Sequence, residues 1–312
     1  MKWFAVLLAS MALACGQNWK FVVVGDTRGP SASDPVNLTI MREIGSQITN
    51  VRPAFVLVPG DLAYTGSLTN FQRFKAGFAA VYSAGIPVYP VLGNHDANDV
   101  TSYRTVFGSD VPDNGPAAEK DRTYFFNYQN ALIVGLDVYV SLNRINQSWL
   151  NAVLATNKAP HVFTFAHSPA FKVNHADCLD DYPTNRDAFW NSLRSVGSRI
   201  YWCGHDHFYD RLRLADTDGI PENEVYQIIS GAGGAPTTTS YDYNGNNTTW
   251  TPIALSHSAS YGYNLVQIDG RAVTVSYWRR VAAGSYSEMD KWSYRLPDLV
   301  PVVPSLRLAQ RL

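Results

Sequence analysis

Short runs of apolar residues alternate with longer amphipathic stretches along most of the chain, beginning at Trp19. The short runs are rich in β-branched and aromatic residues, as expected of strands buried on both faces. These predicted strands are Lys20–Val24, Ala54–Val58, Pro87–Leu92, Leu132–Leu136, Val162–Phe165 and Arg199–Cys203. The longer stretches have helical spacing and cover Val36–Thr49, Leu68–Ser83, Ile145–Ala155 and Arg186–Val196. Strand, helix and strand repeated in this order predict a largely parallel sheet covered by helices.

The pattern changes after Gly204, where strand-like pieces follow one another without a linker rich in Pro, Gly or Ser. These pieces are Asp210–Leu214, Glu224–Ile229, Tyr263–Ile268 and Ala272–Trp278. We therefore expect the second half to complete a sandwich with the first half in a single α/β domain. Two polar loops, Ser168–Pro183 and Gly231–Ser260, are of a length that is usually functional or mobile.

The first 15 residues, MKWFAVLLASMALAC, place one lysine before an apolar run that ends in small residues. This pattern predicts a secretory signal peptide over residues 1–14, with a buried core helix as the alternative. The run is shorter than the roughly 20 apolar residues of a membrane span, so we expect no transmembrane helix. Cleavage before Cys15 would leave a possible lipid anchor at that cysteine. We expect a secreted protein, extracellular or periplasmic, with a Pro-containing tail over residues 296–312.

The composition is that of a folded protein, with 46% hydrophobic and 16% charged residues and a net charge of −1. This balance excludes a mainly disordered chain and argues against a nucleic-acid partner, which would require many basic residues. A small phosphorylated substrate remains compatible with it, because bound metal ions can supply positive charge that composition does not count. Cys178 and Cys203 could form a disulfide or be two buried free thiols, and the sequence leaves both alternatives open.

Polar clusters follow five of the predicted strands. In chain order they are Gly25-Asp26-Thr27-Arg28, Gly60-Asp61-Leu62-Ala63-Tyr64, Gly93-Asn94-His95-Asp96, His167-Ser168-Pro169 and Gly204-His205-Asp206-His207. Open α/β sheets bind ligands at the carboxyl ends of their strands, so we expect the five clusters to converge. Their carboxylate, amide, imidazole and phenol groups are donors suited to Fe, Zn or Mn.

As a set, these clusters resemble the blocks GD, GD, GNHD or GNHE, H and GHxH of the calcineurin-like metallophosphoesterase superfamily. The resemblance extends from about Trp19 to Trp292. Most of that superfamily has a histidine where Arg28 stands. Tyr64, however, is similar to the GDxxY tyrosine that supplies this ligand in the purple acid phosphatase branch. The resemblance implies a four-layer α-β-β-α sandwich, with one catalytic domain over residues 19–295.

The resemblance also implies two metal sites that share one aspartate. The first metal would be held by Asp26, Asp61, Tyr64 and His207. The second would be held by Asp61, Asn94, His167 and His205. A tyrosine ligand implies Fe(III) in the first site, with a divalent Zn, Mn or Fe ion in the second.

Further residues would act on the substrate. The resemblance implies that His95 is a proton donor or transition-state clamp, and Asp96 would orient its imidazole. His175 is similar to a second active-site histidine of purple acid phosphatases. Asn94 and Arg28 would contact the substrate, although Arg28 could equally pair with a surface carboxylate.

The function implied is hydrolysis of small phosphate monoesters by attack of a metal-activated hydroxide, as in purple acid phosphatases. One alternative is a phosphodiesterase that acts on cyclic nucleotides or glycerophosphodiesters at the same site. Another is a secreted binding protein with a degraded metal site, since Arg28 stands where most relatives have a ligand. The sequence alone leaves these alternatives open.

Overall fold

The strands of the chain form two large sheets and one small hairpin in a computed structural model that describes residues 18–243, 245 and 249–297. The predicted leader over residues 1–14, Cys15 and residues 298–312 of the predicted tail lie outside the described residues. The strands are β1 (Asn18–Val23), β2 (Arg28–Ser31), β3 (Asp34–Val36), β4 (Val56–Pro59), β5 (Val88–Val91), β6 (Tyr124–Tyr128), β7 (Ala131–Gly135), β8 (His161–Phe165), β9 (Ile200–Cys203), β10 (Tyr209–Ala215), β11 (Val225–Ser230), β12 (Thr251–Ser258), β13 (Gly262–Asp269), β14 (Ala272–Ala282) and β15 (Ser285–Arg295). The helices are α1 (Leu38–Val51), α2 (Leu68–Gly77), α3 (Ala79–Ser83), α4 (Val100–Phe107), α5 (Gln147–Thr156) and α6 (Pro183–Ser195).

Both large sheets combine a set of parallel strands with antiparallel strands. The first has the order β15-β14-β13-β1-β4-β5, in which β1, β4 and β5 are parallel. The second has the order β12-β10-β11-β9-β8-β7-β6, in which β11, β9, β8 and β7 are parallel. The late strands β13 to β15 extend the first sheet, and β10 to β12 extend the second. The two halves of the sequence therefore build one domain, as the pattern predicts.

Alternation along β1 shows how the layers stack. Val22 faces a core formed with the helices α1 to α4, whereas Phe21 and Val23 face a core between the two sheets. The Phe21 ring meets Phe163 of β8 there, at 5.3 Å between centroids. On the far side of the second sheet, residues of α5 and α6 such as Trp190 form a third core. Three cores between four layers confirm the expected α-β-β-α sandwich.

The structure corrects several element predictions. The helix predicted over Leu68–Ser83 is two helices, α2 and α3, which meet at Phe78. A side chain at Gly77 would lie 2.7 Å from the sulfur of Met41, so this glycine permits a close approach to α1, and glycine is a weak helix former. The loop predicted over Gly231–Ser260 contains β12, and α4, β6 and β15 are further elements that the prediction missed.

Cys178 and Cys203 are free, buried thiols, which decides between the two alternatives that the sequence leaves open. Burial raises the pKa of both thiols.

Within the described ranges, no helix combines the length and the apolar character needed to cross a bilayer.

Candidate metal centre

The five polar clusters meet where β1, β4 and β5 of one sheet end beside β8 and β9 of the other. Main-chain hydrogen bonds join neighbouring clusters: the Asp26 amide donates to the Gly60 carbonyl at 3.0 Å, and the Gly204 amide donates to the His167 carbonyl at 2.8 Å. The convergence follows from the topology, since parallel strands place their carboxyl ends at one edge of each sheet.

Three residues of these clusters adopt left-handed backbone conformations that are uncommon outside glycine. The φ angles of Asp26, Asp61 and His205 are 53°, 53° and 71°. Such conformations cost free energy and are found where a site requires a specific side-chain direction. Here they are held by neighbouring clusters: the Asp61 carbonyl accepts the Arg28 amide at 3.0 Å, and both carboxylate oxygens of Asp26 accept the His205 amide at 3.1 Å.

Potential metal-ligand atoms of four residues lie close together. These residues are Asp61, Asn94, His167 and His205, and we call them the second ligand set. His167 Nε2 lies 3.0 Å from Asn94 Oδ1 and 3.4 Å from Asp61 Oδ1. His205 Nδ1 lies 3.1 Å from the same amide oxygen of Asn94. Asp61, His167 and His205 are buried and Asn94 is exposed, so the set opens to solvent on one side.

Hydrogen bonds on the far side of each imidazole indicate which nitrogen carries the proton. His167 Nδ1 lies 2.9 Å from the Pro59 carbonyl, and His205 Nε2 lies 3.2 Å from the Asp177 carboxylate. Because these are donor positions, the opposite nitrogens present lone pairs to the second ligand set. Burial lowers the pKa of His167 to about 4, which keeps this imidazole neutral. In these tautomers two imidazole lone pairs face the oxygens of Asp61 and Asn94, and this arrangement fits a cation.

A first ligand set consists of Asp26, Asp61 and His207, whose potential ligand atoms all lie within 4.8 Å of one another. His207 Nδ1 lies 3.1 Å from the Pro236 carbonyl, which leaves Nε2 with its lone pair toward the set. Burial, together with the nearby Arg28 guanidinium, lowers the pKa of His207 to about 4. Burial and the Asp61 carboxylate raise the pKa of Asp26 well above its ordinary value. Two adjacent buried carboxylates and a neutral imidazole again favour a cation.

Arg28 lies against this first set. Its Nε is 3.5 Å from Asp61 Oδ2, and its Nη2 is 3.3 Å from His207 Nε2. The centre of its guanidinium lies 5.4 Å from the centroid of the Tyr64 ring. Arg28 therefore contacts both the first ligand set and the Tyr64 ring. The role of Tyr64 as a ligand stays a prediction.

The predicted role of Asp96 is corrected by its contacts. Its buried carboxylate accepts backbone hydrogen bonds from the two clusters that follow β4 and β5, those of Leu62, Ala63 and Gly93. Burial and the Asp61 charge raise the pKa of Asp96 to about 8. The His95 imidazole instead places Nδ1 at 2.6 Å from the Tyr64 carbonyl. Asp96 therefore joins two loops, and a backbone carbonyl orients His95.

His175 reaches the centre from the long loop after β8. Its ring lies 4.5 Å from the His205 ring and 6.1 Å from the His207 ring, measured between centroids. Its Nδ1 is 2.6 Å from the carboxylate of buried Asp206, and this hydrogen bond raises the pKa of His175. Asp206 and Asp177 are further partners of the histidines that were not predicted from the sequence. The position of Asp206 between two predicted ligands was a signal for the first, whereas nothing in the sequence singled out the second.

Comparison with known families identifies the region that contains these clusters. A family model described as calcineurin-like phosphoesterase matches residues 20–209, which include every residue of both ligand sets. No curated protein matches the sequence significantly.

Solved structures with the same fold include a purple acid phosphatase from yellow lupin (Lupinus luteus) seeds, with 16% identity and a TM-score of 0.66. The match covers 89% of this chain and 54% of the lupin chain, so this chain spans about half the length of that protein. The Plasmodium protein GAP50, described as the anchor in the inner membrane complex, has 14% identity, a TM-score of 0.63 and 90% coverage of both chains. A dimetal phosphatase from Danio rerio has 14% identity and a TM-score of 0.54, with 89% and 98% coverage. At these identities the likeness concerns the fold.

Proposed function

Because this chain belongs to the calcineurin-like phosphoesterase family, we propose that it is a metal-dependent hydrolase of small phosphate monoesters, similar to purple acid phosphatases. The observation that carries the proposal is the second ligand set, in which the potential ligand atoms of Asp61, Asn94, His167 and His205 converge. Asp61 also belongs to the first ligand set, so one carboxylate would bridge two ions. Paired metal ions occur in the active sites of phosphatases.

The donors suggest which ions would be held. Asp61, Asn94, His167 and His205 would hold a divalent Zn, Mn or Fe ion, since amide, carboxylate and imidazole groups suit these metals. Asp26, Asp61, His207 and the Tyr64 phenolate would hold Fe(III). When bound, such ions neutralise phosphoryl oxygens and lower the pKa of water, so that hydroxide is available near neutral pH.

The chain's own side chains would then handle the leaving group. The Tyr64 carbonyl holds the proton of His95 on Nδ1, so Nε2 is the atom that would exchange a proton with the ester oxygen. Asp206 holds Nδ1 of His175 in the same way. Asn94 is exposed at the mouth of the second ligand set, where it could also contact a phosphoryl oxygen.

The experiment compares two substrates with metal-loaded and metal-free protein. We expect the loaded protein to hydrolyse an aryl phosphate monoester faster than the corresponding bis-aryl diester, and chelation to abolish both activities. Diester turnover that equals or exceeds monoester turnover would replace the proposal by the phosphodiesterase alternative. A visible phenolate-to-iron band in the iron-loaded protein, lost in Tyr64→Phe, would support the tyrosine ligand, and an unchanged band would contradict it.

A binding protein is the second candidate, because the Arg28 guanidinium lies against the first ligand set. The Plasmodium structure with the same fold is described as an anchor, which illustrates a different use of this scaffold. Protein that is folded, binds no metal and hydrolyses neither ester would favour this candidate over the enzyme.

We also propose that the catalytic domain, over residues 19–295, acts outside the cytoplasm after removal of residues 1–14. The apolar segment at the start of the sequence supports this proposal. N-terminal sequencing and mass measurement of the mature protein test it. A chain that begins at Cys15, with or without added lipid mass, is expected, whereas a chain that retains Met1 would contradict it.

A further inference from the structure

The position of Arg28 has a consequence for metal binding that rests on the proposed function. We propose that the Arg28 guanidinium competes with the metal ion for the first ligand set. The two sets would then load in order: the second set binds its ion tightly, and the first set binds an ion only when Arg28 is displaced.

Arg28 is held in this position from several directions. Its backbone amide donates to the Asp61 carbonyl at 3.0 Å, and its Nη1 donates to the Gly29 carbonyl at 3.1 Å. The side chain is 12% exposed and extends from the first residue of β2, which pairs with β3. The guanidinium is therefore built into the site by the local backbone and does not lie loosely on the surface.

Arg28 contacts the same side chains whose lone pairs would bind a metal ion. Its Nη2 lies at the His207 nitrogen that carries the free lone pair, and its Nε lies beside Asp61 Oδ2. A lone pair that accepts a hydrogen bond from Arg28 is unavailable to an ion, and two cations in one small site repel each other. The first ligand set thus holds either the guanidinium or an ion.

Among the hydrogen bonds and ion pairs of the described residues, Arg28 touches the second ligand set only at the shared Asp61, through Oδ2, and not at Asn94, His167 or His205. The nearest partners of this set on the outer sides are the Pro59 carbonyl and the Asp177 carboxylate, both of which strengthen the imidazoles as ligands. An ion at the second set therefore displaces no side chain. Once an ion enters the first set, the released guanidinium becomes available to a substrate phosphate, the role that the sequence predicts for it.

The test titrates metal-free protein with Zn²⁺ alone, using calorimetry and chelator competition, and needs no turnover. Wild-type protein is expected to bind one ion tightly and a second at least a hundredfold more weakly. Asp26→Asn, which removes a charged ligand of the first set but keeps a side-chain oxygen for the His205 amide, should weaken the weaker class further. In Arg28→Ala the weaker class should tighten at least tenfold, and by more than the tight class, which Arg28 touches only at the shared Asp61.

Two variants serve as controls, with folding checked by circular dichroism. Arg28→Lys keeps the charge and should preserve most of the difference between the two classes. Arg194→Ala removes an arginine that pairs with Asp216 and Asp218 elsewhere, and should bind as wild type does. Two equal affinities in wild-type protein, or an unchanged difference in folded Arg28→Ala, would overturn the inference and leave the proposed function standing. Protein that binds no Zn²⁺ would overturn the proposed function itself.

Discussion

His175 and Asp206 are joined by a hydrogen bond of 2.6 Å across 31 positions of the chain. The same carboxylate accepts the backbone amides of Asn174 and His175, at 3.1 and 3.0 Å. Asp206 lies between two histidines of the centre, His205 and His207. It therefore ties the loop that carries His175 to the cluster that carries two potential ligands, and fixes both the loop and the imidazole.

Replacing Asp206 by asparagine should disturb His175 without removing a ligand. Loss of the carboxylate removes the charge that favours the protonated imidazole, so the pKa of His175 is expected to fall. A misplaced proton donor should lower kcat about tenfold or more and leave KM nearly unchanged. NMR titration of the histidines and steady-state kinetics measure the two effects. A folded variant with an unchanged His175 pKa would refute the positioning role.

A second prediction concerns the residue shared by both ligand sets. Asp61→Asn keeps the size of the side chain but removes the bridging charge, so metal content is expected to fall at both sets. Elemental analysis of purified protein measures this. Asp113→Asn is a matched control, because Asp113 forms an exposed pair with Lys120 away from the centre. Near-normal metal content in Asp61→Asn would disprove the bridge.

The convergence of the centre could be predicted because it depends on topology. Each cluster follows a recognisable buried strand, and parallel strands bring such ends together. The contacts around the clusters could not be predicted. Whether Asp96 meets His95 or the backbone depends on the left-handed turn at Asp61, which precedes the Leu62 amide, and a sequence read by type and spacing does not contain that angle.

The fold, too, could be predicted from the sequence only in part. Strands buried on both faces, such as β8 and β9, carry continuous apolar runs and were found. The strand β12 has one buried residue and β15 has none, so neither carries the buried apolar residues by which the other strands were predicted. Pairing makes them strands: β12 pairs with β10, which lies much earlier in the chain, and β15 forms a hairpin with β14, which directly precedes it.

A third prediction uses the ion pair between Glu43 of α1 and Arg280 of β14, which meet at 2.6 and 3.0 Å. The hydrogen bond from Arg280 lowers the pKa of Glu43 in the folded state. The pair therefore stabilises the fold above the ordinary pKa of a glutamate, and this stabilisation is lost as pH falls through the lowered value. Because both groups are partly exposed, its size is about 0.2–1 kcal/mol.

Urea unfolding of wild type and Glu43→Gln at pH 7 and pH 3 measures this contribution. The variant should be less stable at pH 7, and its difference from wild type should be smaller at pH 3, because the stabilisation is lost as pH falls through the lowered pKa of Glu43. Asp113→Asn, at an exposed pair, should show little difference at either pH. A difference for Glu43→Gln that grows as pH falls would contradict the prediction.

The last prediction concerns Gly60, the residue that shapes the turn before Asp61. Its φ is +79°, and a Cβ atom there would lie 2.5 Å from His167 Nδ1 and 2.8 Å from the Gly93 amide. Gly60→Ala is therefore expected to act in two ways. A left-handed alanine costs about 1–2 kcal/mol, and the new methyl group pushes His167 away from the second ligand set. We expect lower stability and at least tenfold weaker metal binding.

Gly85→Ala separates these two effects, because Gly85 has a similar φ of +69° but a Cβ atom there would meet nothing within 4 Å. It should lose a comparable amount of stability from backbone strain and bind Zn²⁺ as wild type does. Urea unfolding and calorimetric titration of the two variants give the comparison. Equal metal affinity in the two folded variants would show that His167 tolerates the methyl group, and that Gly60 serves the turn alone. Weaker binding only in Gly60→Ala would show that this glycine holds space for the imidazole as well.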